Sequence, residues 1–156
     1  MKSLLLITVA LVFIGTGAHA QAIPKDFQVS LERTGCLGGC PAYKVTIKGD
    51  GTIVFRDRAE RIQKDQLTQA EVHRLFELAD VTTFFEHDSN YRSEQDCDGP
   101  TETDWPSEII SMTANGTSRS VVHNEGCKVR PGTFLSKILK LAHEIDRLTD
   151  GSFIKD

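Results

Sequence analysis

The stretch Tyr43-Lys44-Val45-Thr46-Ile47-Lys48-Gly49-Asp50-Gly51-Thr52-Ile53-Val54-Phe55 decides the fold class. Tyr43, Val45 and Ile47 alternate with polar residues, the two-residue period of a half-buried strand. Gly49-Asp50-Gly51 supplies residues able to take positive φ, and Thr52 to Phe55 resumes an extended run. Two such runs across a short Gly-containing loop predict a β-hairpin, and with it an antiparallel sheet.

Working outward, Phe27, Val29 and Leu31 alternate with Gln28, Ser30 and Glu32, which predicts a strand ahead of the hairpin. Behind it, Arg56 to Asp65 is charged and reads as a short edge strand and a loop. Thr68-Gln69-Ala70-Glu71 fits a capping box, with Leu67 and Val72 placed to form the accompanying hydrophobic staple. Val72, Leu75, Phe76 and Ala79 share one face, so the spacing predicts a helix from Gln69 to about Asp80.

Glu108 to Thr113 and Ser118 to His123 are strand-like and flank Ala114-Asn115-Gly116-Thr117. An Asn-Gly pair in that position is a strong hairpin signal, and it accounts for the asparagine without invoking the overlapping glycosylation sequon. Pro131 suits a first helical turn. Leu135, Ile138, Leu139, Ala142 and Ile145 mark the buried stripe of a second helix ending near Gly151. The order β-β-β-α-β-β-α predicts a single α+β domain: an antiparallel sheet of about five strands with two helices packed on one face.

Residues 1–20 read as a cleavable signal peptide. Lys2 supplies its charge, Leu4 to Ile14 its apolar run, and Ala18-His19-Ala20 a small-x-small cleavage site, so the cut is expected after Ala20. A spanning helix needs roughly 20 apolar residues, and this run is about half that, which predicts no stable membrane anchor after cleavage. Residues 21–156 would then form the working domain, periplasmic or secreted. The full chain carries a formal charge of −4, and losing Lys2 with the leader makes it −5. Mild acidity argues against a nucleic-acid partner, which favours a basic patch.

All four cysteines follow the leader, and an even number in an exported chain reads as two disulfides. Four cysteines allow three pairings. Gly38 and Gly39 let the chain between Cys36 and Cys40 bend back, clamping the turn between the first two strands and contributing ~2 kcal/mol in the chain-entropy description. Cys97 and Cys127 are the natural second pair, at roughly 3–4 kcal/mol for the longer loop. The competing chemistry is a redox pair at Cys36 and Cys40. Thioredoxin-type sites, however, use a two-residue spacing at a helix N-terminus, whereas here the spacing is three and the context strand-turn-strand. A four-cysteine zinc site fits poorly, because Cys97 and Cys127 are singletons, so no metal is expected.

Phe84 to Ser107 is long, irregular and acidic, and segments of that length are usually functional or tied down. Tyr91, Asp104 and Trp105 within it are the candidate contact surface: Trp105 reads first as a loop anchor packed on the core, and as a recognition hot spot beside the acidic loop if it is exposed. Glu94-x-Asp96-x-Asp98-Gly99 resembles half of a calcium loop, but its twelfth position is Trp105 rather than glutamate. His73, His87, His123 and His143 stand in no catalytic signature, and no cofactor is expected.

Thr34-Gly35-Cys36-Leu37-Gly38-Gly39-Cys40-Pro41-Ala42-Tyr43 and the Gly49-Asp50-Gly51 turn resemble the opening of an uncharacterised bacterial exported domain family, a domain of unknown function with a Gly-Cys-x-x-x-Cys-Pro-x-Tyr motif. Thr103-Asp104-Trp105-Pro106, Asn124-Glu125-Gly126-Cys127 and Glu144-Ile145-Asp146 are similar to its later segments. The resemblance runs from Phe27 to Leu148 and implies a compact α+β envelope domain, with no activity attached. The leading expectation is a non-catalytic extracytoplasmic binding or structural module with a protein or small-molecule partner. The alternative is a thiol–disulfide oxidoreductase using Cys36 and Cys40.

Overall fold

The computed structural model describes residues 22–87, 90–91, 97–100, 102 and 104–149. The leader with its cut after Ala20, Glu94 and Asp96 of the acidic loop, and Gly151 lie outside the described residues. The elements in chain order are β1 (Gln28–Arg33), β2 (Tyr43–Lys48), β3 (Thr52–Asp57), β4 (Ile62–Gln66), α1 (Gln69–Ala79), α2 (Val81–Glu86), β5 (Asn90–Tyr91), β6 (Ser107–Ala114), β7 (Thr117–Asn124) and α3 (Phe134–Thr149). One sheet holds the strands in the order β4-β3-β2-β1-β6-β7-β5.

The α+β class holds, but the strand count and order need correction. Among the described residues seven strands pair rather than about five. The charged stretch after β3 is a full edge strand, β4, whose five residues are all exposed, so hydrophobic alternation could not announce it. β5 adds to β7 in parallel, which makes the sheet mixed. The segment after α1 begins as a helix, not as a loop: Asp80 takes a left-handed conformation (φ 41°) that ends α1 and opens α2, and α2 buries Phe84 completely.

The capping box on α1 is complete: Thr68 Oγ1 accepts from the Glu71 amide, and the Thr68 amide donates to the Glu71 carboxylate at 2.8 Å. Leu67 and Val72 are both buried, as a staple requires. The buried stripe of α3 is Leu135, Ile138, Leu141, Ala142 and Ile145, with Leu141 in the place expected for Leu139. Pro131 precedes the helix rather than entering it, and the hydroxyl of Thr133 accepts from the amide of the third helical residue, Ser136, at 3.3 Å.

Two glycine turns set the register. Asn115 (φ 52°) and Gly116 (φ 75°) both occupy the left-handed region that a two-residue hairpin demands. The Asp26 carboxylate accepts both their amides, at 2.9 and 2.6 Å, tying that turn to the chain entering β1. Gly51 (φ 89°) lies where a Cβ would come within 2.6 Å of the Leu67 carbonyl oxygen.

Buried apolar strand residues share one parity: Val29 and Leu31, Val45 and Ile47, Ile53 and Phe55, Ile110, Met112 and Ala114, and Val121. They pack with Val72, Leu75 and Phe76 of α1 and Ile138, Leu141 and Ile145 of α3 in one cluster, so both long helices cover the same face. Cys97, Cys127 and Leu135 form a smaller cluster beside it. No helix among the described residues is long and apolar enough to cross a membrane.

Candidate functional site

At one end of the sheet the inward parity stops being apolar. Register pairs Asp57 with Tyr43, Tyr43 with Arg33, Arg33 with Glu108, Glu108 with His123, and His123 with Tyr91. A single row of polar side chains thus crosses six strands on the helix-covered face, two residues beyond the last apolar layer. Asp146, next to buried Ile145, reaches this row from α3, and Glu125 joins it from the segment after β7.

Arg33 is the centre. Its Nε donates to the Tyr43 hydroxyl at 2.9 Å, Nη1 to Glu125 at 2.5 Å and Nη2 to Asp146 at 2.7 Å, and Nη1 forms an ion pair with Glu108 at 2.6 Å. The Tyr43 hydroxyl in turn donates to Asp146 Oδ1 at 2.7 Å. Burial opposes the Arg33 charge, but the Asp146 hydrogen bond and the Glu108 and Asp146 carboxylates hold the guanidinium even more firmly protonated than usual. Burial, reinforced by Asp146, likewise pushes Tyr43 up and keeps it a neutral donor. For Glu108, burial favours the neutral acid, yet the hydrogen bond from His123 and the Arg33 charge outweigh it and hold the carboxyl below its ordinary range.

His123 is buried with Nδ1 at 3.3 Å from Glu108 Oε2 and Nε2 at 3.2 Å from the Cys127 carbonyl oxygen. His123 thus bridges the Glu108 carboxylate and the backbone at Cys127. The sequence reading treats His123 as an ordinary strand-end histidine; the structure places it in this network.

The Cys36–Cys40 loop stands over the row. Cys36 and Cys40 are joined with Cα atoms 5.3 Å apart, and Cys97 and Cys127 with Cα atoms 5.2 Å apart. The two bridges differ in setting. Cys97 and Cys127 are buried under Leu135, whereas Cys36 and Cys40 are partly exposed. Thr34 fastens the loop's entry to β6, its amide donating to Ser107 and its hydroxyl accepting from Ser107. The Glu125 amide donates to the Pro106 carbonyl. Gly126 is packed so closely that a Cβ would lie 2.7 Å from the Glu102 carbonyl and 3.1 Å from the Trp105 ring.

Two clefts flank this loop. One, of about 330 Å³, is lined by Arg33, Cys40, Pro41, Tyr43, Pro106, Glu125 and Asp146. The other, of about 460 Å³, is lined by Gly35, Cys36, Leu37, Ala42, Arg58, Asp104 and Trp105. Leu37 is 87% exposed and Trp105 49%, with the indole N–H donating to Glu102 at 2.7 Å. Asp104 and Trp105 line this second cleft together with Leu37. Tyr91 does not join them. It is half-buried on β5 and lines a separate cleft with His87, Val129 and Phe134.

Residues 34–43, 104–106, 124–127 and Asp146, widely separated in the chain, thus meet at one end of the domain. The matching family model covers residues 27–148, which includes every residue of this site. The chain belongs to the DUF6438 family, a domain of unknown function. No curated protein matches it. In this DUF6438 domain the network is formed by Arg33, Tyr43, Glu108, His123, Glu125 and Asp146, of which sequence reasoning singled out none as functional. The signal available was parity, since Arg33, Tyr43, Glu108 and His123 all continue inward-facing positions of their strands.

Proposed function

We propose that this DUF6438 domain is a non-catalytic extracytoplasmic binding module, and that the face carrying Leu37, Asp104 and Trp105 contacts its partner. The observation that carries the reading is the placement of Leu37 and Trp105. Both are large, apolar and exposed, and both line one cleft. Scattered exposed hydrophobics are ordinary, but two that share a cleft on fixed supports resemble a recognition hot spot. Leu37 lies within a disulfide-closed loop and Trp105 is held by Glu102, so little freedom remains to be lost on binding. Export is supported by the leader, and two joined cysteine pairs are compatible with an oxidising compartment.

The test is capture of partners from extracts of the producing cells on immobilised domain with intact disulfides. A specific partner should be retained by the wild type and lost from Leu37→Ser and Trp105→Ala, with circular dichroism of each variant checking that it is folded. Equal retention by wild type and variants would refute the assignment.

Thiol–disulfide exchange is the second reading, and one observation favours it: the Cys40 amide points at Cys36 Sγ at 3.2 Å, where it would stabilise a thiolate. Against it, residues 34–42 contain no helix whose N-terminus would add to that stabilisation. A reduction potential below about −300 mV fits a structural staple, and one between about −120 and −270 mV fits catalysis.

A further inference from the structure

We propose that the partner of this face is a polypeptide segment that sets an apolar side chain between Leu37 and Trp105 and a lysine or arginine in the neighbouring Arg33 cleft. The proposal rests on the binding reading above and adds the chemistry of what is bound. Charge carries it. Three carboxylates, Glu108, Glu125 and Asp146, surround the one guanidinium of Arg33. Among the described residues, the carboxylates on this guanidinium outnumber it three to one.

The hydrogen bonds show where that excess sits. Both oxygens of Glu108 are engaged, by Arg33 and His123, and both of Asp146, by Arg33 and Tyr43. Among the described residues, Glu125 is engaged through Oε1 alone, by Arg33. Glu125 lines the cleft whose other walls include Pro41, Pro106 and the Tyr43 ring. Apolar walls ending at the Glu125 carboxylate suit the methylene stem and charged head of a lysine or arginine.

Across the loop, Asp104 and Glu102 keep the surroundings of Trp105 acidic, with Arg58 the cation lining that cleft. An acidic segment would be repelled on both sides. A second copy of this chain, itself at −4, would set these acids against their own kind.

Selection of phage-displayed random peptides on the disulfide-intact protein, followed by calorimetry on synthetic winners, tests this. Enriched peptides should combine an apolar residue with a lysine or arginine. Replacing that basic residue with norleucine should weaken binding about tenfold, the size of one charge-assisted hydrogen bond. Glu125→Gln should cost the same, and combining the two should cost no more. The norleucine peptide tests the charge on unaltered protein, so an unstable Glu125→Gln leaves the result readable. Winners that need Leu37 but no cation would overturn the partner chemistry and leave the binding face standing. Failure to obtain any Leu37-dependent peptide would overturn both. Self-association abolished by Leu37→Ser would make a second copy the occupant and refute the proposal.

Discussion

Arg33 and Asp146 are 113 residues apart in sequence, yet the guanidinium of the first donates to the carboxylate of the second at 2.7 Å. That contact fastens the end of β1 to α3, and through Tyr43 and Glu125 it fixes the floor on which the disulfide loop stands.

Removing Arg33 should therefore do more than delete an ion pair. Arg33→Met leaves three carboxylates with their neutralising cation gone, and breaking a buried pair in this way costs about 3 kcal/mol or more. Arg33→Lys should recover only part of that loss, because one ammonium cannot match donors spread over three nitrogens. Urea unfolding of both variants measures the difference.

Acid should weaken the domain through Glu108. Its carboxyl titrates lower when folded than its ordinary 4.5. Its contribution is then fully present above that value and disappears as pH falls through the lower folded one. Thermal melts from neutral to acidic pH should show a steeper loss in the wild type than in Glu108→Gln, which cannot titrate there. Parallel acid limbs would remove Glu108 from the account.

Gly126→Ala should be disproportionately damaging for an added methyl group. The new Cβ would meet the Glu102 carbonyl and the Trp105 ring, and crowding of this kind costs about 1–3 kcal/mol. Trp105 is the single tryptophan of the chain, so its fluorescence reports the displacement directly.

The two bridges should separate under graded reduction. The partly exposed Cys36–Cys40 bridge should open first, while Cys97–Cys127, buried under Leu135, should resist until the domain loosens. Replacing Cys97 and Cys127 with alanine should cost roughly 3–4 kcal/mol, against ~2 for the shorter loop. Mass-spectrometric mapping of alkylated thiols over time gives the order.

Much of the fold was legible because its signals are local. The Gly49-Asp50-Gly51 and Asn115-Gly116 turns, the box at Thr68 and Glu71, and the alternation around Val29, Val45 and Ile110 each act within a few residues. β4 was legible only as a short edge strand of unfixed bounds within Arg56 to Asp65, since Ile62–Gln66 is exposed throughout and follows β3 by pairing rather than by burial. β5 spans only Asn90 and Tyr91, too short for any period to show. The site was legible only in retrospect. Arg33, Tyr43, Glu108 and His123 each look like an ordinary strand end, and it takes the pairing register to put them in one row.

A partner seated on the Leu37 face is the central proposal. A photo-crosslinking amino acid placed at position 37 in the producing cells, with the same probe at exposed His143 on α3 as reference, tests it directly. We predict one discrete adduct from position 37 and none from position 143. No adduct from position 37, or the same products from both, would contradict the claim.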